Sequence, residues 1–251
     1  MVKSLLIFYK TEFKLAFREF SGVLFGIFLP IGIMLLLGIL YGDKLAYENA
    51  PYTLLQQSVA AVLTVGICAT GLMGVPLTLS GYREKKILKR FKASPASPLL
   101  LILAQFLNNM TYAIISSVAV VGIAVFGFGY RMIGNPVLFI LSYGLLMVAI
   151  YAIGAMIASI AKSEKIANML CTLFYFPMFF LSGATIPYEL MPKGLRFFAD
   201  IMPLTQGIKL LKATSLGEWQ TDSMNAIWIL IFTAILGMII AVRTFKYEYE
   251  S

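Results

Sequence analysis

Histidine is absent from all 251 residues. That removes the side chain most often used as a general base near neutral pH, and the commonest metal ligand. Charge is scarce too: Asp, Glu, Lys and Arg make up 13% of the chain, against roughly 25% in a soluble domain. The two cysteines, Cys68 and Cys171, stand in long apolar runs, where buried thiols fit better than a disulfide. No GxxxxGK[ST] run occurs, so no phosphate loop is encoded. HExxH and CxxC are missing as well, which sets aside metal-dependent catalysis of those kinds.

What the chain has in excess is apolar side chains, 60% of the total, where soluble domains carry roughly 45–50%. This is the composition of a polytopic membrane protein. No stretch outside the apolar runs is long enough to bury a core of its own, so no soluble catalytic domain is expected. Six charge-free stretches reach the ~20 residues that cross a bilayer. They predict an all-α integral membrane fold with spans near 22–41, 54–81, 99–128, 136–161, 166–184 and 223–242. No Asp, Glu, Lys or Arg falls inside these spans. Proton- and sodium-coupled carriers keep such groups in the membrane as relays or ligands, and aspartate-pair membrane proteases need two of them.

The cations set an orientation. With the N terminus inside, fourteen of the twenty Lys and Arg fall on cytoplasmic segments, and four of the remaining six share one long outer loop. Both termini are therefore expected in the cytoplasm. The +8 net charge is a topology signal that needs no nucleic-acid partner. Glu12 and Glu19, and a first apolar run of full span length, argue against a cleavable signal peptide.

Residues 3–20 read as an amphipathic helix lying in the membrane interface. Leu5, Leu6, Tyr9, Phe13, Ala16, Phe17 and Phe20 face the lipid, opposite a stripe of Lys3, Lys10, Lys14 and Arg18. Gly22 and Gly26 have GxxxG spacing, which is either a packing face or incidental. Gly71, Gly74 and Pro76 either loosen the second span or pack tightly on a neighbour. The fifth span, with Phe174, Tyr175, Phe176, Phe179 and Phe180 around Pro177, either lines an apolar path or packs against lipid and helices. Residues 185–222 are semi-apolar and broken by Pro187, Pro192 and Pro203. They predict two short helices joined near Pro203 that dip into the outer leaflet or pack over the spans, largely shielded from water.

The most informative run is Arg83-Glu84-Lys85-Lys86-Ile87-Leu88-Lys89-Arg90-Phe91-Lys92-Ala93-Ser94-Pro95, in the cytoplasmic loop of residues 82–98. Ile87, Leu88 and Phe91 share a helical face within a collar of cations. That pattern suits a helix docking into a partner's groove, or a positive-inside loop whose ridge touches the membrane.

This run is similar to the Glu-Lys-x-x-Gly/Ile-Leu-x-x-x-x-x-Ser/Thr-Pro stretch of the type-2 class of ABC transporter permeases. Ser182-Gly183 with Pro187 and Pro192, followed by Pro203-Leu204-Thr205, is similar to that family's outer-segment signature. The resemblance covers essentially the whole chain. Lys86-Ile87 departs from it where some relatives carry Gly.

The resemblance implies a permease subunit of an ATP-driven exporter in the bacterial plasma membrane, with a separate ABC ATPase holding ATP and Mg and no cofactor on this chain. Arg83, Glu84, Lys85, Lys86, Ile87, Leu88, Phe91, Ser94 and Pro95 would form the coupling helix that docks on the ATPase, beside residues 3–20 as a connecting helix. A second copy or a sister permease would pair with the chain. Substrate would then pass beside the second and fifth spans, with Thr70, Met73, Phe174, Tyr175 and Phe179 as candidate path residues. The apolar spans suit a hydrophobic drug, antibiotic or lipid-like substrate; polysaccharide is the alternative within this class. The rival classes are an ATP-independent channel or carrier, which would need polar rings along its pore, and a lipid-modifying enzyme, which would need clustered nucleophile and base.

Overall fold

Prolines and small polar residues set the helix boundaries in the computed structural model, which describes residues 2–16, 24–42, 44–46, 51–92, 98–182, 191–219 and 221–246. Helix α1 covers Val2–Ala16, α2 Leu24–Tyr41, α3 Leu54–Glu84 and the short α4 Ile87–Lys92. Helix α5 is Pro98–Gly127, α6 Pro136–Ile160 and α7 Glu164–Leu181. Helices α8 (Lys193–Ile201) and α9 (Pro203–Leu216) precede α10, Thr221–Thr244. Thr53 and Gln56 cap α3 reciprocally: Gln56 N–H donates to Thr53 Oγ1 at 3.2 Å, and Thr53 N–H to Gln56 Oε1 at 2.8 Å. Asn135 Oδ1 accepts from Val137 N–H at 2.9 Å ahead of α6, which has Pro136 in its first turn. Gly217 ends α9 in the left-handed conformation, φ 78°.

Two π turns, Leu24–Phe28 in α2 and Ala69–Gly74 in α3, lie just ahead of Pro30 and Pro76. A proline inside a helix lacks the N–H of the ladder and crowds the carbonyl four residues back. Widening the preceding turn absorbs the conflict, and Val75 N–H accordingly bonds Thr70 O, five residues back.

Helices α2, α3, α5, α6 and α10 are long and apolar enough to cross a membrane, and the chain is a multi-pass membrane protein. The fifth expected span corresponds to α7, a helix of 18 residues that opens on Glu164 and Lys165, which shortens its apolar stretch and leaves it outside the five. Its expected last residues, 183–184, lie outside the described ones. The second span also runs past its expected end: α3 continues to Glu84, so Tyr82, Arg83 and Glu84 belong to the helix and not to the loop. The bundle thus has a basic end, carrying α4, the turn between α6 and α7, and Phe245 and Lys246. The opposite end carries the α2–α3 and α5–α6 connections and the end of α9, joined by Gln56 Nε2 donating to Arg131 O and by Ile133 and Gly134 N–H donating to Ser215 O.

Helix α3 is the centre of the bundle. Of its most apolar 18-residue window 83% is buried, against 56% in α6, 28% in α5 and 22% in both α2 and α10. Glycines allow the close approach. A Cβ on Gly154 of α6 would overlap the carbonyl oxygen of Gly71, and one on Gly74 would overlap Asn109 Oδ1 of α5. The Gly71–Gly74 segment is therefore a packing face. Gly26 lies against Thr70 of α3, whereas Gly22 falls outside the described residues.

The outer segment forms two helices that meet at Met202–Pro203. Helix α9 is buried against α6, with Gly207 backed by Leu146 about 15 Å along α6 from Pro136 at 1.5 Å per residue. The N–H groups of Ile133 and Gly134 clamp its end through Ser215 O at 3.1 and 2.8 Å. Protein covers the two helices of this segment unequally. Leu204 of α9 is fully buried, but Phe197 is 65% exposed, because of the residues of α8 only Ala199 is buried.

Helix α1 also differs from its expected orientation. Phe8, Tyr9, Glu12 and Phe13 turn towards the protein, whereas Leu6, Ile7 and Leu15 are exposed. Tyr112 OH donates to Phe13 O at 3.0 Å, its ring stacks on Phe13 at 5.3 Å, and Asn108 Nδ2 donates to Tyr9 O at 3.3 Å. The aromatic face thus packs on α5 instead of lipid. Residues 17–20, with Phe17, Arg18 and Phe20, lie outside the described ones.

Gly154→Ala is expected to lower stability in detergent by about 1–3 kcal/mol through overpacking against Gly71. Gly144→Ala, which meets nothing within 4 Å, should leave thermal unfolding unchanged or raise it. Equal Tm values for the two variants would contradict the crossing.

Candidate docking site at the basic end

A two-residue reversal makes the site. Lys85 N–H bonds Gly81 O at 3.0 Å and Lys86 N–H bonds Arg83 O at 2.9 Å, which ends α3. Lys86 then takes the left-handed conformation, φ 57°, and α4 begins. A residue with a Cβ pays roughly 1–2 kcal/mol there, while Gly pays nothing. Lys86 thus stores local strain at the turn.

The apolar ridge of the loop turns inward. Leu88 has 0% exposure and belongs to the main core, while Ile87 and Phe91 pack against that core. Phe91 meets Phe8 of α1 edge-to-face, with ring centroids 5.4 Å apart. Leu88 therefore fixes α4 to its own bundle, which corrects the expectation that this ridge is the contacting surface. The exposed face is formed by Glu84, Lys85, Lys86, Lys89 and Arg90. Ser94 and Pro95 lie outside the described residues.

Arg83 is likewise turned inward, at 4% exposure. Its Nε donates to Lys246 O at 2.8 Å, and its Nη1 to Ala158 O at 2.9 Å and Ala161 O at 2.5 Å. The guanidinium also lies 5.2 Å over the Phe245 ring, a cation–π contact. Glu84 Oε2 accepts from Glu164 N–H at 2.8 Å, and Ser163 Oγ from Ile166 N–H at 3.3 Å, at the start of α7. Tyr82 OH donates to Glu12 Oε2 at 2.6 Å, and Gln105 Nε2 donates to the same oxygen. Glu12 is 6% exposed, and its burial is compensated by these two donors. Sequence reasoning missed this cluster. Its signal was a lone acid on the α1 face that carries Phe8 and Phe13, together with Gln105, Asn108 and Asn109 in an otherwise apolar run.

The five candidate path residues lie on two helices that contact each other, Thr70 and Met73 on α3 and Phe174, Tyr175 and Phe179 on α7. Thr70 is buried, donating to Gly66 O at 2.7 Å and accepting from Tyr151 OH at 2.8 Å. Tyr175 is buried and stacks on Phe179 at 5.6 Å; Met73, Phe174 and Phe179 are half-buried against the same core. The uncovered face of α7 carries Met169, Leu173, Phe176 and Phe180 instead.

The described residues form a helical multi-pass bundle with a basic reversal after its second long helix. The ABC-2 type transporter family matches residues 3–216, and the chain belongs to that family of ABC transporter membrane permeases. It is 26% identical over 149 residues to ABC transporter G family member 20 of Dictyostelium discoideum, covering 55% of this chain and 20% of that protein. It is 33% identical over 70 residues to Nodulation protein J of Rhizobium leguminosarum bv. viciae, covering 28% of this chain and 27% of that protein. The matches thus span about a quarter or less of those relatives' lengths. ABC-2 permeases work with ABC ATPase partners and often as dimers.

Lys86→Gly is expected to raise stability by about 1 kcal/mol by relieving the left-handed backbone, and Leu88→Ala to lower it by about 2 kcal/mol or more by opening a cavity. Thermal unfolding in detergent reads both. A loss of stability in Lys86→Gly would contradict the turn geometry.

Proposed function

We propose that this chain is the membrane half of an ATP-driven exporter in a bacterial plasma membrane, with the basic end and both termini in the cytoplasm. A separate ABC ATPase, holding ATP and Mg, docks on the exposed face of the α3–α4 reversal, and a second permease copy or a sister chain completes the pathway. The observation that carries this reading is a cationic face, Lys85, Lys86, Lys89 and Arg90, mounted rigidly on the most buried helix of the bundle. A loop that only obeyed the charge rule would have no need of an anchor with 0% exposure such as Leu88. Docking through the cations also leaves Leu88 where it is, so a push on α4 passes straight into the core.

The transported class is a hydrophobic drug, antibiotic or lipid-like molecule. The stripe of Met169, Leu173, Phe176 and Phe180 supports it, since these side chains follow helical spacing on one uncovered face of α7. Apolar side chains without charge suit a substrate taken from the membrane. Tyr175 would shape this wall from behind, through Phe176 and Phe179.

The test is a mild-detergent pull-down of the tagged chain from its native membranes, read by mass spectrometry. An abundant subunit with a phosphate loop is expected. The triple variant Lys85→Glu, Lys89→Glu, Arg90→Glu should lose at least ~90% of it, which corresponds to about 1.4 kcal/mol or more of docking energy. Recovery of the wild-type chain without any ATPase would overturn the reading in favour of an autonomous channel or carrier.

A further inference from the structure

Three consecutive side chains at the end of α3 point in three directions and hold three different neighbours. Tyr82 reaches Glu12 on α1, and through it Gln105 on α5. Arg83 reaches the last carbonyls of α6 and the backbone just beyond α10. Glu84 reaches the first N–H of α7. Helical geometry produces the spread, because successive side chains are set about 100° apart around the axis at 3.6 residues per turn.

Arg83 and Glu84 together straddle the turn between α6 and α7. A helix leaves its last four carbonyls and first four N–H groups unpaired, with partial negative charge at the carbonyl end and partial positive charge at the N–H end. Arg83 supplies a cation with several donors to the carbonyl end of α6, at Ala158 O and Ala161 O. Glu84 supplies an anion to the N–H end of α7. The signs match at both ends, and Arg83 is buried, where water competes least. The same region is tied again by Ser159 Oγ and Thr244 Oγ1, 2.6 Å apart, which join α6 to α10.

We propose that Arg83 and Glu84 are positioning residues that staple the basic ends of α6, α7 and α10 to the end of α3, so that displacement of the docking loop moves these four ends as one body. The inference rests on the reading of the α3–α4 reversal as the ATPase docking site. It assigns to Arg83 and Glu84 the transmission of that displacement inside the permease, while the contact with the partner falls to the exposed cations. Tyr82 serves a separate arm, towards α1 and α5.

The experiment uses the full chain in lipid nanodiscs, with Cys68→Ala and Cys171→Ala to remove the native thiols. Spin labels are placed at Thr78→Cys on α3, ahead of the reversal and outside the docking face, and at Lys162→Cys, an exposed position in the α6–α7 turn. The spin–spin distance distribution is measured without nucleotide, and again with co-purified ATPase trapped by ATP and vanadate. The parent protein is expected to give one narrow distance that does not shift on trapping. Glu84→Ala, and independently Arg83→Gln, should lose the single narrow distance and shift on trapping. Glu84→Gln should restore it, because its amide oxygen still accepts from Glu164 N–H. Tyr82→Phe should leave it unchanged, because its hydroxyl serves the other arm. A narrow, unshifted distance in both Glu84→Ala and Arg83→Gln would overturn the staple, as would a shift in the parent on trapping. Failure of any ATPase to co-purify would instead overturn the proposed function, and the nucleotide-free widths would still decide the staple.

Discussion

The rest of the structure depends on one helix that is covered by protein along most of its length. An apolar membrane helix gains nothing by leaving lipid for other apolar side chains, so close packing of backbones and small residues must supply the attraction. Helix α3 meets that requirement with Gly66, Gly71 and Gly74, each placed where a neighbouring helix touches its backbone. The crossing with α6 at Gly71 and Gly154 is the tightest, because the carbonyl of one glycine occupies the place of the other's missing side chain. The π turn ahead of Pro76 keeps the helix continuous through this crossing. Helices α2 and α5 can then present broad apolar faces outward, since α3 lies behind them, and α10 does the same with α6 and α9 behind it.

That burial gives the basic end its mechanical character. A loop mounted on a lipid-facing helix could tilt with that helix alone. Here the loop continues a helix held by α5, α6 and α7, and it is tied again by Leu88 beneath α4 and by hydrogen bonds from the last three residues of α3. The buried polar groups at this end, Glu12 and Arg83, fit the general rule that charge near membrane depth is paired or aimed at backbone. The stored strain at Lys86 falls at the one point where α4 departs from this rigid assembly.

The sequence makes the fold class, the helix order and the position of Pro203 legible, because the lengths of apolar runs and the places of prolines are local properties. It also makes the special status of residues 83–95 legible, through a motif and a charge collar. Three features were not local. The inward turn of Leu88 depends on where α1 and α5 pass, and a six-residue periodicity cannot tell a core from a partner's groove. The burial of Arg83 depends on carbonyls 75 to 163 residues away in the chain. The polar contact of Glu12 with Tyr82 and Gln105 joins three separate segments, none of which carries a pattern by itself. Gly71 and Gly74 were ambiguous between flexibility and packing until their neighbours were seen.

The measurement that tests this account most directly is an oxygen-accessibility scan by electron paramagnetic resonance, with single nitroxide labels in lipid nanodiscs. Labels would be placed in turn along residues 59–72 of α3 and along residues 228–239 of α10. Dissolved oxygen concentrates in the hydrocarbon and reports which faces of a helix meet lipid. The account predicts low accessibility without helical periodicity along α3, and a strong helical periodicity along α10, where Trp228, Phe232, Ile235 and Ile239 are exposed. A periodic, lipid-accessible face along 59–72 would contradict it, and would remove the rigid mounting on which the coupling argument rests.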